Sequence, residues 1–157
     1  MIEYRGEPRA AGRRFAIIVS RFNDGVTSRL VAGARACLEE HGVPESAIDV
    51  LSVPGAWELP IAAGMLARRR RHAAIIALGC VIRGETPHFD YVAGPAAEGL
   101  ARVGLETGIP VTFGVLTTED SAQAMARAGG RHGNKGWDAA LAALELADLG
   151  ARLDADA

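Results

Sequence analysis

Ala73-Ala74-Ile75-Ile76-Ala77-Leu78-Gly79-Cys80-Val81-Ile82 runs from end to end without a charged side chain. A strand with one wet face alternates apolar and polar residues. A strand apolar at every position is covered on both faces, as in a parallel sheet held between helices. Phe15 to Ser20, Asp49 to Val53 and Val111 to Thr118 are shorter runs of the same kind. Between them Leu30, Ala34, Cys37, Leu38 and His41 recur at helical spacing as far as Gly42, and a second helical stretch spans Glu58 to about Arg71. A third helix begins near Pro87, a short one spans Glu119 to Ala128, and the last covers about Gly136 to Arg152. The order β-α-β-α-β-α-β-α-α predicts right-handed crossovers and an α/β fold, a three-layer α/β/α sandwich around a four-stranded parallel sheet.

The chain has 157 residues, 49% of them hydrophobic, enough for one domain with a core that needs no disulfide or metal. Residues 1–13 read as a loose N-terminal arm and 14–157 as a single domain. Seventeen basic residues against nineteen acidic ones give a net charge of -2, which exerts no long-range pull on a phosphate backbone and speaks against nucleic-acid binding. No run of about 18 apolar residues occurs, and the N-terminus lacks the apolar stretch of a signal peptide, so a cytoplasmic rather than membrane or secreted protein is expected. Cys37 and Cys80 lack ligand spacing and read as reduced core thiols. Arg68 to Arg71 close a helix, where cations complement the negative pole. The last helix is apolar on two stripes, Trp137, Leu141 and Leu144 on one and Leu146, Leu149 and Leu153 on another. That predicts a subunit contact, with burial inside its own domain as the alternative.

In an open parallel sheet, ligands bind beyond the carboxyl ends of the strands. After the first strand, Phe22 offers an aromatic face for a planar ligand or else staples the next helix, with Asn23 or Asp24 as its cap. After the second, Val53-Pro54-Gly55-Ala56-Trp57-Glu58-Leu59-Pro60 makes a rigid turn. Its Glu58 suits a polyol as well as the helix dipole, and Trp57 reads as core rather than contact. After the third comes Arg83-Gly84-Glu85-Thr86-Pro87-His88-Phe89-Asp90-Tyr91. Thr86 as N-cap and Pro87 at the first helical position would leave free amides beside Gly84 as an anion seat. His88 falls in the first turn of that helix, whose positive pole disfavours the imidazolium and suits the ring to proton transfer. After the fourth strand, Arg127 closes a short helix. Lys135, the only lysine, follows the cap residue Asn134 at a positive helix pole, a place where a cation is costly unless an anion is near. No P-loop, Gly-x-Gly-x-x-Gly, Gly-x-Ser-x-Gly or metal-spaced cluster is present. The inventory suits a phosphorylated substrate and a planar ring reacting by proton transfer, without metal or redox cofactor.

Four motifs resemble the 6,7-dimethyl-8-ribityllumazine synthase family. They are Arg21-Phe22-Asn23, the 53–60 turn, the stretch from Gly79 to Val92, and Gly114-Val115-Leu116-Thr117-Thr118 followed by Gly133-Asn134-Lys135-Gly136. The resemblance implies a flavodoxin-like strand order 2-1-3-4, an N-terminal strand that adds to a neighbouring subunit, and no cofactor. It implies condensation of 5-amino-6-(D-ribitylamino)uracil with 3,4-dihydroxy-2-butanone 4-phosphate, the penultimate step of riboflavin biosynthesis. By that analogy Phe22 stacks on the pyrimidine, Ala56, Trp57 and Glu58 hold the ribityl chain, and Cys80, Val81 and Ile82 border the ring. Glu85 and Thr86 seat the phosphate, His88 moves protons, and Phe113, Arg127 and Lys135 reach in from the adjacent subunit. The same analogy implies pentamers, and the compact segment from Gly129 to Gly136 favours the sixty-subunit icosahedral shell over a pentamer or decamer, with riboflavin synthase as a possible partner. A non-catalytic riboflavin-binding paralogue and a structural shell protein are the alternatives. Two prolines depart from the pattern. Pro95 lies inside the helix that follows Pro87, which predicts a kink or break near Tyr91 to Pro95, and Pro8 removes a donor from the arm.

Overall fold

Residue parity along the strands divides the core in two. Phe15 and Ile17 point to one face of the sheet and Ala16 and Ile18 to the other, and all four are fully buried. The computed structural model describes residues 1–157. Its strands are β1 (Phe15–Ser20), β2 (Ile48–Val53), β3 (Ala74–Ile82) and β4 (Val111–Thr118), in the order β2-β1-β3-β4 with every pairing parallel. The order is the flavodoxin-like one that the resemblance implied, and the strands fall within one residue of the apolar runs that predicted them.

Helices α1 (Asp24–Glu40) and α5 (Lys135–Ala155) cover one face, and α2 (Leu59–Arg69) and α3 (His88–Thr107) the other. Here α4 (Ser121–Ala126) leads into a small antiparallel ribbon of β5 (Ala128–Gly130) and β6 (Gly133–Asn134), which the sequence reading did not anticipate. Two glycines let α1 and α5 approach closely. A Cβ on Gly136 would stand 2.0 Å from the Leu30 carbonyl oxygen, and one on Gly33 would stand 2.3 Å from the Asn134 side chain. That side chain accepts from the amides of Gly136 and Trp137 and donates to the Arg29 carbonyl, so Asn134 caps α5 and ties it to α1 in one residue.

Two expectations need correction. Met1 to Arg13 is not loose. Asp148 of α5, fully buried, accepts from the Glu7 amide and from the guanidinium groups of Arg9, Arg13 and Arg152. Those donors hold its carboxyl well below the usual range, the Glu7 amide first, then Arg152 and Arg9. Gly6 lies so close to α5 that a Cβ there would meet the Glu145 carbonyl oxygen. The arm forms no strand within the chain. The second correction concerns the break expected near Pro95. α3 runs unbroken from His88 to Thr107 with Pro95 inside it. Both Pro95 and Tyr91 face solvent, so water can hydrate the Tyr91 carbonyl that proline leaves without its donor.

The last helix packs one of its stripes within the chain. Leu144 is buried, while Leu146 and Leu153 stay exposed. The more exposed apolar side chains lie on the opposite layer: Ile61 and Met65 on α2 and Leu105 on α3. No helix is long and apolar enough to cross a membrane.

Candidate functional site

At the carboxyl ends of β1, β2 and β3 a cleft of about 640 Å³ opens between the loops that follow them. Phe22 stands on the first loop, pinned by two backbone bonds to the strand next door: Arg21 N–H to Val53 O (2.8 Å) and Phe22 N–H to Pro54 O (3.1 Å). Its ring is 71% exposed and borders the cleft, so it does not staple α1. Asn23 precedes α1 in the left-handed region (φ 62°) and makes no side-chain cap. It donates instead to the Cys80 carbonyl of β3 at 2.9 Å, which fastens the first loop to the strand under the cleft. The β1–β3 pairing ends at Val19 and Leu78, so the Asn23 amide continues it where the strand has turned away.

The second loop forms a single 3-10 turn, Ala56–Glu58, closed by Glu58 N–H to Gly55 O. Ala56 is buried, Glu58 is half-buried without an ion pair, and Trp57 is 56% exposed on the cleft rather than in the core. The expectation for Trp57 fails because the short turn places Ala56 and Leu59 inward and leaves position 57 outside.

On the third side, Cys80, Val81 and Ile82 form the floor. The Cys80 thiol packs into the core under α1 and α5, where burial pushes its pKa up to about 11, so it stays a protonated thiol and not a nucleophile. The helix cap lies one residue later than expected. Pro87 is the N-cap of α3, its carbonyl accepting from the amides of Asp90 (3.0 Å) and Tyr91 (3.4 Å), while the Thr86 hydroxyl stands 3.5 Å from the His88 amide. Proline fits here because an N-cap residue donates no amide to the helix, but it brings no side-chain acceptor for the free amides of the first turn. His88 is thus the first helical residue, exposed and on the cleft together with Gly84 and Thr86. Phe89, Tyr91 and Val92 also line it and were missed, although Tyr91 and Val92 stand three and four residues from His88, the spacing that shares a helix face.

Four expected residues lie outside this cleft: Glu85, Phe113, Arg127 and Lys135. Phe113 is half-exposed on the edge strand β4, opposite Ala77 in the middle of the sheet. Arg127 and Lys135 are brought together by the ribbon, whose base is closed by Lys135 N–H to Arg127 O at 2.9 Å. The Arg127 guanidinium donates to the Gln123 carbonyl, and Lys135 is exposed at the start of α5. One chain therefore carries an aromatic and polar cleft with a histidine at its rim, and a separate pair of cations. A second hollow of about 420 Å³, at the amino end of the sheet, is lined by Arg14, Asp49, Arg69, Arg71 and His72. His72 and, after it, Arg14 are bonded to Asp49 there, which lowers that carboxyl's pKa.

The sequence model of 6,7-dimethyl-8-ribityllumazine synthase matches residues 12–151. A protein of that name from Xanthomonas euvesicatoria pv. vesicatoria is 58% identical over 149 residues, 95% of this chain and 97% of its own. Another from Xylella fastidiosa (strain M12) is 54% identical over the same length and coverage.

Proposed function

The chain belongs to the 6,7-dimethyl-8-ribityllumazine synthase family, and from that premise we propose how its site carries out the reaction. The protein is a transferase of riboflavin biosynthesis that condenses 5-amino-6-(D-ribitylamino)uracil with 3,4-dihydroxy-2-butanone 4-phosphate, giving 6,7-dimethyl-8-ribityllumazine, phosphate and water. The observation that carries the site assignment is that Phe22, Glu58 and His88, from three different strand ends, meet on one cleft.

Phe22 stacks on the pyrimidine, whose edge lies along the backbone of Cys80, Val81 and Ile82. Ala56, Trp57 and the unpaired carboxylate of Glu58 hold the ribityl chain. The substrate's own amine attacks the carbonyl of the phosphorylated partner and expels water to form an imine. Phosphate then leaves by elimination, and the ribityl-bearing amine closes the ring on the ketone that results, expelling a second water to complete the lumazine. His88 moves the protons these steps require, which in general acid–base catalysis contributes about 10²- to 10⁴-fold. Glu85 and Thr86 seat the phosphate through the backbone between β3 and α3. Arg127, with Lys135 beside it, supplies the charge that receives the leaving group.

The cations and Phe113 lie away from the cleft of their own chain, so we assign them to the cleft of an adjacent subunit in a homo-oligomer built from pentamers. Ile61, Met65 and Leu105, exposed on the α2 and α3 layer, support burial against another copy. The shell of sixty subunits, riboflavin synthase as a partner and a cytoplasmic setting complete the proposal.

Two variants test the roles and the sharing together. His88→Ala is expected to lower turnover about 10²-fold or more with the pyrimidine still bound. Arg127→Ala is expected to raise the KM of the phosphorylated substrate about ten-fold or more, the worth of a charge-assisted hydrogen bond. Oligomers reassembled from a mixture of the two variants should recover a fraction of wild-type turnover, since some clefts then hold an intact histidine facing an intact arginine. Unchanged turnover in His88→Ala would remove the proton-transfer role, and mixtures no better than their components would remove the shared site.

A further inference from the structure

β3 ends at Ile82 and α3 begins at His88, so a short loop sets where the histidine stands. Gly84, Glu85 and Thr86 make no backbone hydrogen bond to any other residue, and the single side-chain contact is the 3.5 Å approach of the Thr86 hydroxyl to the His88 amide. Nothing along the loop itself fixes the first turn of α3. Arg83 does so from the side. Its amide donates to the Thr118 carbonyl at 2.8 Å, which continues the β3–β4 pairing past Ile82. Its Nε donates to the Glu119 carboxylate at 3.1 Å, and its guanidinium also lies 3.7 Å from the Asp90 carboxylate. The Cζ of the same guanidinium lies over the Phe89 ring, 4.4 Å from its centre.

Phe89 and Asp90 directly follow His88, so Arg83 clasps the first helical turn to the ends of β3 and β4 across a loop that has no anchor of its own. Phe89 borders the cleft, whereas Arg83 does not. We infer that Arg83 is a positioning residue for the reaction: through Phe89, Asp90 and Glu119 it holds the His88 turn at the height and angle that the cleft requires. Each contact is weak where water reaches it, but three of them share one rigid planar group, which ties Phe89 and Asp90 of the turn to Glu119 beyond β4. Lysine is a poor replacement. It keeps the charge but lacks the plane that stacks on Phe89 while the edge bonds Glu119.

The inference rests on the proton-transfer role of His88, and the two fail separately. Steady-state kinetics of the assembled enzyme, with each substrate varied in turn, supply the readout. Arg83→Ala should lower kcat about ten-fold, about 1.4 kcal/mol, with the KM of the pyrimidine unchanged, because Phe22, Trp57 and Glu58 stand on other loops. Arg83→Lys should recover part of that loss. Glu119→Gln, which lies outside the cleft, should lower kcat about two- to three-fold and add nothing on top of Arg83→Ala, as expected for two groups in one contact. A wild-type kcat in Arg83→Ala, alongside a slow His88→Ala, would overturn the positioning role and leave the histidine assignment intact. A fall in kcat matched by an equal rise in pyrimidine KM and not recovered by lysine would overturn it as well. Should Arg83→Ala fail to assemble, Arg83→Lys and Glu119→Gln decide on the same readout, and a wild-type kcat in both overturns the inference.

Discussion

Asn23 bears two local costs that substitution can separate. Its backbone sits in the left-handed region at φ 62°, and its side-chain amide donates to the Cys80 carbonyl at 2.9 Å. Alanine at this position loses the donor and leaves a half-buried carbonyl short of a partner, at about 1–2 kcal/mol. Asparagine already carries a Cβ in this conformation but tolerates it better than an ordinary residue, for which it costs about 1–2 kcal/mol, so alanine meets part of that cost as well. Glycine loses the same hydrogen bond but adopts this backbone without steric cost. Asn23→Ala should therefore destabilise by about 1–3 kcal/mol and Asn23→Gly by less. For a chain of this length, a loss of 1 kcal/mol moves Tm by about 2–4 °C, so the two variants should differ by several degrees in scanning calorimetry at one protein concentration. The pyrimidine KM should rise in both, because Phe22 is the preceding residue. Equal Tm values for the two variants would refute the backbone argument, and a wild-type Tm in both would refute the hydrogen bond as well.

Gly136→Ala should force α1 and α5 apart, since its Cβ would sit 2.0 Å from the Leu30 carbonyl oxygen, and overpacking of that kind costs about 1–3 kcal/mol or more. A shift in Tm of less than 2 °C would contradict the close approach. The arm should be sensitive to acid. The Asp148 carboxyl is held below its ordinary value, so its contribution is whole above a pH of about 4, where the unfolded group is already ionised, and drains away as pH falls through the lower native value. Limited proteolysis of residues 1–13 should accelerate as pH drops below about 4 in the wild type. In Asp148→Asn the arm should be cleaved readily at neutral pH and show little further change on acidification. Equal cleavage of the two proteins at pH 7 would contradict the anchoring role.

The two central strands, β1 and β3, were the most legible part of the chain because both faces of each are buried, and a residue that meets apolar surroundings on either side leaves an unbroken apolar run. Ala74–Ile82 is the clearest instance, and its limits were read to within one residue. The cleft was legible wherever a loop follows a strand: Phe22, Glu58, Thr86 and His88 all face it. What escaped depended on distant partners. Asn23 looked like a helix cap, yet its side chain answers a carbonyl 57 positions away. The arm looked loose because its anchor, Asp148, lies on the far side of the sequence, 139 positions from Arg9. A buried acid in an alanine- and leucine-rich helix was the available signal, and a run of arginines near the N-terminus was its complement. Trp57 misled for a local reason, since a large apolar residue in a turn reads as core until the single 3-10 turn shows which of its neighbours points inward.

The most direct test of the account is turnover by the purified protein with 5-amino-6-(D-ribitylamino)uracil and 3,4-dihydroxy-2-butanone 4-phosphate, with lumazine absorbance and phosphate release recorded together. Product should form well above the spontaneous condensation, with one phosphate released for each lumazine formed, and the acceleration should be lost in His88→Ala. Formation at the spontaneous rate, in a protein that nonetheless binds riboflavin tightly, would contradict it and leave the cleft a flavin-binding site.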